Sequence, residues 1–227
     1  MNSSVIIFPG SNCDRDMDVA LKKFGFKNKM VWHDDIELPK SDLVVLPGGF
    51  SYGDYLRCGS MASKSKIVQS VINFAKSGGI LMGICNGFQI LTETELLPGA
   101  LLRNKFSSFI CKNVFVKINN TKNSYFKKIK KSTLELHIAH NEGNYFCSSY
   151  QIKEIEDNNQ IALFYCGKNG EINEKFNPNG SVKNIAGIFN KEKNIMGLMP
   201  HPERMIDKYL SGDDGAIFFE TLLNNLK

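Results

Sequence analysis

Along the first hundred residues, short apolar blocks alternate with stretches whose apolar positions recur every three to four residues, and glycine or proline marks each change. Residues 4–8 read as a strand closed by Pro9-Gly10, after which Asn12 offers an N-cap for a helix over about 14–24 that Gly25 stops. Residues 30–32 and Leu43–Leu46 predict two short strands, the second closed by Pro47-Gly48-Gly49. Ile67, Val71, Phe74 and Ala75 keep helical spacing within 61–77, and Gly78-Gly79 ends that stretch. The apolar run Ile80–Ile84 predicts a further strand, and a helix-like stretch starts at Phe88. This βαβ rhythm implies a parallel sheet wound on both faces, with its ligand site at the carboxyl ends of the strands.

Beyond residue 101 the texture changes. Segments 109–118, 133–139, 161–165 and 184–189 alternate apolar with polar positions and are separated by Asn/Gly/Lys-rich turns, which predicts antiparallel strands added to the core. Residues 195–199 form one more apolar strand and 215–226 a terminal helix. There is no internal repeat, low-complexity tract or linker. The expected fold is therefore α/β: a doubly wound, mostly parallel sheet with added antiparallel strands, in one domain over residues 1–227.

Composition narrows the function classes. Hydrophobic content of 42% with 22% charged residues is that of an ordinary globular protein with a substantial core. The net charge of +5 makes the chain mildly basic, but its one dense run, Lys127-Lys128-Ile129-Lys130-Lys131, lacks interleaved aromatics and reads as a solvated loop rather than a nucleic-acid patch. No apolar run approaches the ~20 residues of a membrane span. The six cysteines form no C-x-x-C pair and no cluster with histidine at zinc-ligand spacing, so neither a metal site nor a disulfide framework is expected. A reducing cytoplasm, where a catalytic thiol stays usable, is the expected compartment.

The chemistry concentrates around Cys85. Met82-Gly83-Ile84-Cys85-Asn86-Gly87 runs from an apolar strand into a cysteine flanked by glycines two positions away on either side. A nucleophile elbow has this form, because its sharp strand-to-helix turn crowds those two positions, and the following helix points N–H groups at the nucleophile. The alternative is a buried structural cysteine on a core strand. His201-Pro202-Glu203 follows the last strand, and the prolines at 200 and 202 favour extended backbone, placing His201 and Glu203 on one side. Glu203 could then orient His201 as the general base of a Cys–His pair; the alternative is a surface turn. For a developing oxyanion, the Asn86 N–H is one candidate donor. The glycine-rich loop Pro47-Gly48-Gly49-Phe50 is the candidate source of a second, against the alternative of a plain turn.

Cys85-Asn86-Gly87-Phe88-Gln89 with the late His201-Pro202-Glu203 resembles class I glutamine amidotransferases. The segments 8–14, 47–57, 177–181 and 199–204 are similar, in order, to those of glutaminase subunits that feed ammonia to an ATP-dependent synthase converting formylglycinamide ribonucleotide to its amidine. The resemblance spans the chain. It implies Cys85 as nucleophile, His201 and Glu203 as base and orienter, Gly49 and Asn86 as oxyanion donors, and Phe50 and Gln89 as aids in holding glutamine. It further implies a large synthase subunit and a small accessory subunit as partners, with ATP and Mg2+ used by the partner and no cofactor in this chain. One departure stands out: His140-Asn141-Glu142-Gly143 has asparagine where those relatives carry glycine, a replacement that asparagine's tolerance of positive φ would allow. Another class I amidotransferase, a cysteine peptidase or γ-glutamyl hydrolase, and a non-catalytic scaffold subunit remain as alternatives.

Overall fold

The computed structural model describes residues 1–119, 122–209 and 211–226. Eleven strands and five helices follow in chain order: β1 Asn2–Ile7, α1 Asp14–Lys23, β2 Lys27–Trp32, β3 Leu43–Leu46, α2 Lys66–Lys76, β4 Ile80–Ile84, α3 Asn86–Glu93 and β5 Ala100–Leu102. Then come β6 Ile110–Ile118, β7 Thr133–His140, β8 Asn144–Phe146, α4 Ser149–Asp157, β9 Ile161–Cys166, β10 Ile185–Phe189, β11 Ile195–Leu198 and α5 Asp214–Leu226. Nine strands form one sheet in the order β2-β1-β3-β4-β11-β10-β9-β6-β7, and β5 pairs with β8 separately.

Pairing within the sheet changes character at β11. From β2 to β11 every neighbour is parallel; from β11 through β10, β9 and β6 to β7 every neighbour is antiparallel. The interior of the parallel half has the short, continuously apolar strands of a sheet covered on both sides, with all four residues of β3 and all four of β11 buried, whereas the edge strand β2 is mostly exposed. The antiparallel half alternates instead. In β7, Leu134, Leu136, Ile138 and His140 are buried while the residues between them are only partly so. Helix α1 buries Met17, Ala20 and Leu21; α2 buries Ile67, Val71 and Ala75 as its sequence spacing predicts, together with Val68, while Phe74 is only partly buried.

Four sequence expectations are corrected. The residue at the N-cap of α1 is Cys13, not Asn12, and the side chain of neither caps the helix: Asn12 accepts the Cys13 thiol at 3.3 Å, while Asp14 and Asp16 complement the first turn. The stretch 61–77 is not one helix, because Ser65 is extended (φ −64°, ψ 148°) and separates a 3-10 turn, Ala62–Lys64, from α2. Helix α3 begins at Asn86, directly after the cysteine, rather than at Phe88. The region read as all strand contains α4, started by a reciprocal capping box between Ser148 and Gln151.

Candidate active site

Four carboxyl-end loops of the parallel half converge. Cys85 lies between β4 and α3 with φ 51° and ψ −105°, a conformation that L-residues adopt only under constraint. The constraint is visible: its N–H donates to Leu198 O on β11 at 2.8 Å, and its carbonyl accepts from Gln89 N at 3.1 Å. The glycines two before and two after are sterically required. A Cβ on Gly83 would stand 2.6 Å from Gly87 O, and one on Gly87 would stand 2.0 Å from Leu46 O on β3. Cys85 is buried, and its thiol points to Ala139 O on β7 at 3.8 Å.

His201 arrives from the loop after β11 and is held by its own N–H donating to His137 O at 2.8 Å. Its Nδ1 meets Glu203 Oε1 at 2.6 Å, with both side chains essentially inaccessible. Nε2 therefore remains for the thiols. Burial opposes charge on His201, but the neighbouring Glu203 carboxylate and the sulfur atoms of Cys85 and Cys13 outweigh it and hold the imidazole pKa well above its ordinary value. A methyl group at Gly48 would strike His201 Cε1 at 2.6 Å, Cys13 Sγ at 3.2 Å and Cys85 Cβ at 3.3 Å, so the glycine loop forms the wall that these three groups share.

In that loop Gly49 has φ 132°, and a Cβ there would meet Asn12 N at 2.6 Å. Phe50 donates its N–H to Gly10 O at 3.2 Å and places its ring beside Phe109, 6.3 Å between centroids. The Asn86 N–H is the first of α3 and belongs to the group that a helix leaves without intrahelical partners. The Asn86 side chain accepts from Ser51 N at 3.2 Å and donates to Gln89 Oε1 at 2.8 Å. Gln89 in turn donates to Glu142 O at 2.7 Å. Gln89 thus fastens α3 to the loops that border the site. A cavity of about 250 Å3 opens on Gly49, Phe50, Ala139 and His201.

Two groups that sequence reasoning gave no role also lie here. Cys13 and Arg204 line the same cavity, and Arg204 Nη2 donates to Cys13 Sγ at 3.0 Å. The available signal was topological: the loop after β1 opens at the same sheet edge as the loops after β3, β4 and β11. Burial pushes the Cys13 thiol up while His201 and Arg204 pull it back. Cys58 is different in kind, since burial and the adjacent Glu142 and Asp54 carboxylates hold it firmly protonated.

One residue beyond Ala139 on β7, His140 is buried, and hydrogen bonding shows which ring nitrogen carries its proton. Asn104 Nδ2 donates to Ser108 O and His140 O, and Asn104 Oδ1 accepts from Gly143 N. Oδ1 at 3.1 Å from His140 Nδ1 must therefore accept again, so Nδ1 carries a proton, and burial, which disfavours a second one, keeps the ring neutral at neutral pH. Burial drives its pKa down to about 4. Asn141 does not adopt positive φ, contrary to expectation; the turn uses its carbonyl, which accepts from Asn104 N at 2.9 Å.

Residues 1–212 match the family model described as a CobB/CobQ-like glutamine amidotransferase domain. The chain is 78% identical to a phosphoribosylformylglycinamidine synthase subunit PurQ from Pelagibacter ubique, over the full length of both. It is 49% identical to a protein of the same name from Zymomonas mobilis, over 98% of each chain. Among solved structures it is similar to a chain of PurLQS from Thermotoga maritima, at 39% identity and TM-score 0.87 over 100% of this chain and 99% of that one. No helix among the described residues is long and apolar enough to cross a membrane.

Proposed function

Because the chain belongs to the CobB/CobQ-like glutamine amidotransferase family, we propose that it is the glutaminase subunit of phosphoribosylformylglycinamidine synthase in de novo purine biosynthesis. It works with a large ATP-dependent synthase subunit and a small accessory subunit, as the PurLQS assembly of its Thermotoga relative supports. ATP and Mg2+ belong to the synthase subunit in this reading, and the reaction on this chain uses its own side chains and backbone N–H groups. A reducing cytoplasm suits its six free cysteines.

The observation that carries the chemistry is Cys85 on a constrained elbow, facing a buried imidazole whose far nitrogen is fixed by Glu203. We assign the steps accordingly. Cys85 sulfur attacks the side-chain carbonyl carbon of glutamine, and its proton resides on His201 Nε2. The carbonyl oxygen becomes an oxyanion received by the N–H groups of Gly49 and Asn86. As the intermediate collapses, the C–N bond breaks and His201 delivers its proton to the departing nitrogen, which leaves as neutral ammonia. Water, deprotonated by His201, then attacks the thioester carbonyl; the C–S bond breaks, glutamate departs and the thiol is restored. Glu203 keeps Nδ1–H directed away from the thiol throughout, so only Nε2 exchanges protons.

A glutamine-mimicking chloroketone tests the assignment. Peptide mapping of the alkylated complex should find the label on Cys85 alone among the six cysteines, with glutamine protecting it. Label on another cysteine, with activity lost and Cys85 unmodified, would sink the reading.

A further inference from the structure

We propose that Cys111, His137 and Asn113 form a reactive-thiol site that takes up a low-molecular-weight disulfide, and that the mixed disulfide so formed shuts the cavity to glutamine. The antiparallel register of β6 and β7 sets Asn113 opposite His137 and Cys111 opposite Ala139. Side chains two apart on a strand share a face, so Cys111, Asn113, His137 and Glu135 stand together, while Val114, Leu136 and Ile138 turn into the core. Their hydrogen bonds run in one direction. Asn113 Nδ2 donates to Glu135 Oε1 at 3.2 Å, which turns Asn113 Oδ1 toward His137 Nδ1 at 3.1 Å. A carbonyl oxygen only accepts, so Nδ1 carries the His137 proton. Burial, with His201 and Arg204 nearby, holds the His137 pKa below its ordinary value and disfavours a second proton. The bare Nε2 lies 3.5 Å from Cys111 Sγ and accepts from the thiol.

A nucleophile, a base and a group that orients the base are the parts of an activated thiol. Of the six cysteines Cys111 alone is exposed; Cys13, Cys85, Cys147 and Cys166 are buried, and half-buried Cys58 is held protonated by burial and its carboxylate neighbours. Cys111 also opens on the cavity of about 250 Å3 that reaches Gly49 and His201. An isolated surface cysteine would have neither the base nor this concave approach. In the exchange, Cys111 sulfur attacks one sulfur of the disulfide as its proton passes to His137 Nε2. The S–S bond of the reagent breaks, a bond forms between Cys111 sulfur and the attacked sulfur, and the departing thiolate takes the proton from His137. The disulfide is itself the oxidant, and a free thiol reverses the step, since exposed disulfides are the readily reduced ones.

The consequence for glutamine rests on the catalytic reading above. An adduct the size of a tripeptide, anchored on the cavity wall, competes for the space that glutamine needs beside Gly49 and His201, and Cys85 is left unmodified. A chloroketone shaped like glutamine passes Cys111 because substrate contacts guide it to Cys85; a disulfide has no such guide and meets the exposed thiol first. Spacing along the chain hides this array, since positions 111, 113 and 137 meet only through the pairing of β6 with β7.

Glutathione disulfide is the probe. Peptide mapping of the treated full-length chain should find the mixed disulfide on Cys111 before any other cysteine. A free thiol is only a few per cent thiolate near neutral pH, so His137→Gln should slow labelling of Cys111 about tenfold. Asn113→Ala should slow it in the same direction, with melting curves showing both variants folded. In the assembled complex, glutamine-dependent synthesis should fall in proportion to the modified fraction of Cys111, while synthesis from an ammonium salt persists and dithiothreitol restores the loss. The Cys111→Ser complex, compared with its own untreated rate, should keep its use of glutamine through the same treatment. Equal labelling rates in wild type, His137→Gln and Asn113→Ala overturn the proposal, as does a mixed disulfide on Cys85 ahead of Cys111. So does a complex whose Cys111 resists the reagent, a fully modified complex with an unchanged glutamine rate, or equal inhibition of the Cys111→Ser complex. A complex that cannot use glutamine before treatment would count against the proposed function alone, since the mapping is read without catalysis.

Discussion

At the scale of single residues, the site is built from groups whose protonation is set by burial and by the charged groups packed against them. His201 is tied to Glu203 at 2.6 Å with both side chains almost wholly buried, so the two act as a unit. Glu203→Gln should slow thioester formation roughly a thousand- to ten-thousand-fold, and combining it with His201→Asn should add little to the loss from His201→Asn alone. Single-turnover measurement of the glutamyl thioester reads this directly; multiplicative losses would mean that Glu203 does something other than orient the imidazole. His140 shows the opposite logic. Its pKa falls from 6.5 to about 4 because burial disfavours its charge, so the folded state resists a proton that the unfolded chain accepts. That contribution is complete above pH 6.5 and is lost as pH falls toward 4. Between pH 7 and pH 5 it removes about 2 kcal/mol of stability. Denaturant titrations at the two values should show that difference shrink in His140→Asn, and an unchanged difference would mean that His140 titrates normally.

At the scale of elements, the same steric rule explains what was legible in the sequence. The pattern of Gly83 and Gly87 around Cys85 identifies the elbow because a side chain at either place collides with backbone, which cannot turn aside as the Leu91 side chain beside Gly83 could. Gly87→Ala should therefore cost at least about 2 kcal/mol and lower the melting temperature by roughly 4–8 °C. Gly53→Asn makes the control: Gly53 has φ 65° but open space around its Cβ position, and asparagine tolerates that conformation. A Gly87→Ala protein that melts with wild type would remove the steric account. The strands β3, β4 and β11 were readable for a related reason, since buried parallel strands are continuous apolar runs. Helix α4 was not. It buries only Ile155, so its apolar stripe is too thin to register, and its capping box, Ser148 with Gln151, is a weak signal amid polar turns. The break at Ser65 escaped too, because apolar spacing continues across it and only the local backbone changes. Cys13 was invisible for a third reason: its role depends on which loops share an edge, which spacing along the chain does not encode.

At the scale of the whole molecule, the two halves of the sheet divide the work. Loops after β3, β4 and β11 carry the glycine wall, the nucleophile and the base, while β7, from the antiparallel half, closes over them with His137 O on His201 and Ala139 O on Cys85. The nucleophile is thus buried in this chain, and the nitrogen it liberates must reach another subunit without meeting an acid that would trap it as ammonium. Keeping His140 neutral, one residue along β7 from Ala139, is consistent with that demand. The arrangement separates two reactions that the assembled synthase performs together. Replacing Cys85 by alanine should abolish glutamine-dependent synthesis, since no thioester can form. Synthesis from an ammonium salt should persist within about threefold of wild type, because the ATP-dependent step needs only ammonia and nothing from Cys85. Initial rates of the wild-type and Cys85→Ala complexes, each with glutamine or with high ammonium, decide the matter. An assembled Cys85→Ala complex that fails with both nitrogen sources would falsify the transfer of free ammonia. In the same experiment the lone wild-type subunit should hydrolyse glutamine far more slowly than the complex, if docking of the synthase completes the donor loop around Gly49. A lone subunit running at the full rate would instead mark a free-standing hydrolase, in which Gly49 and Asn86 are already set for the oxyanion before any partner arrives.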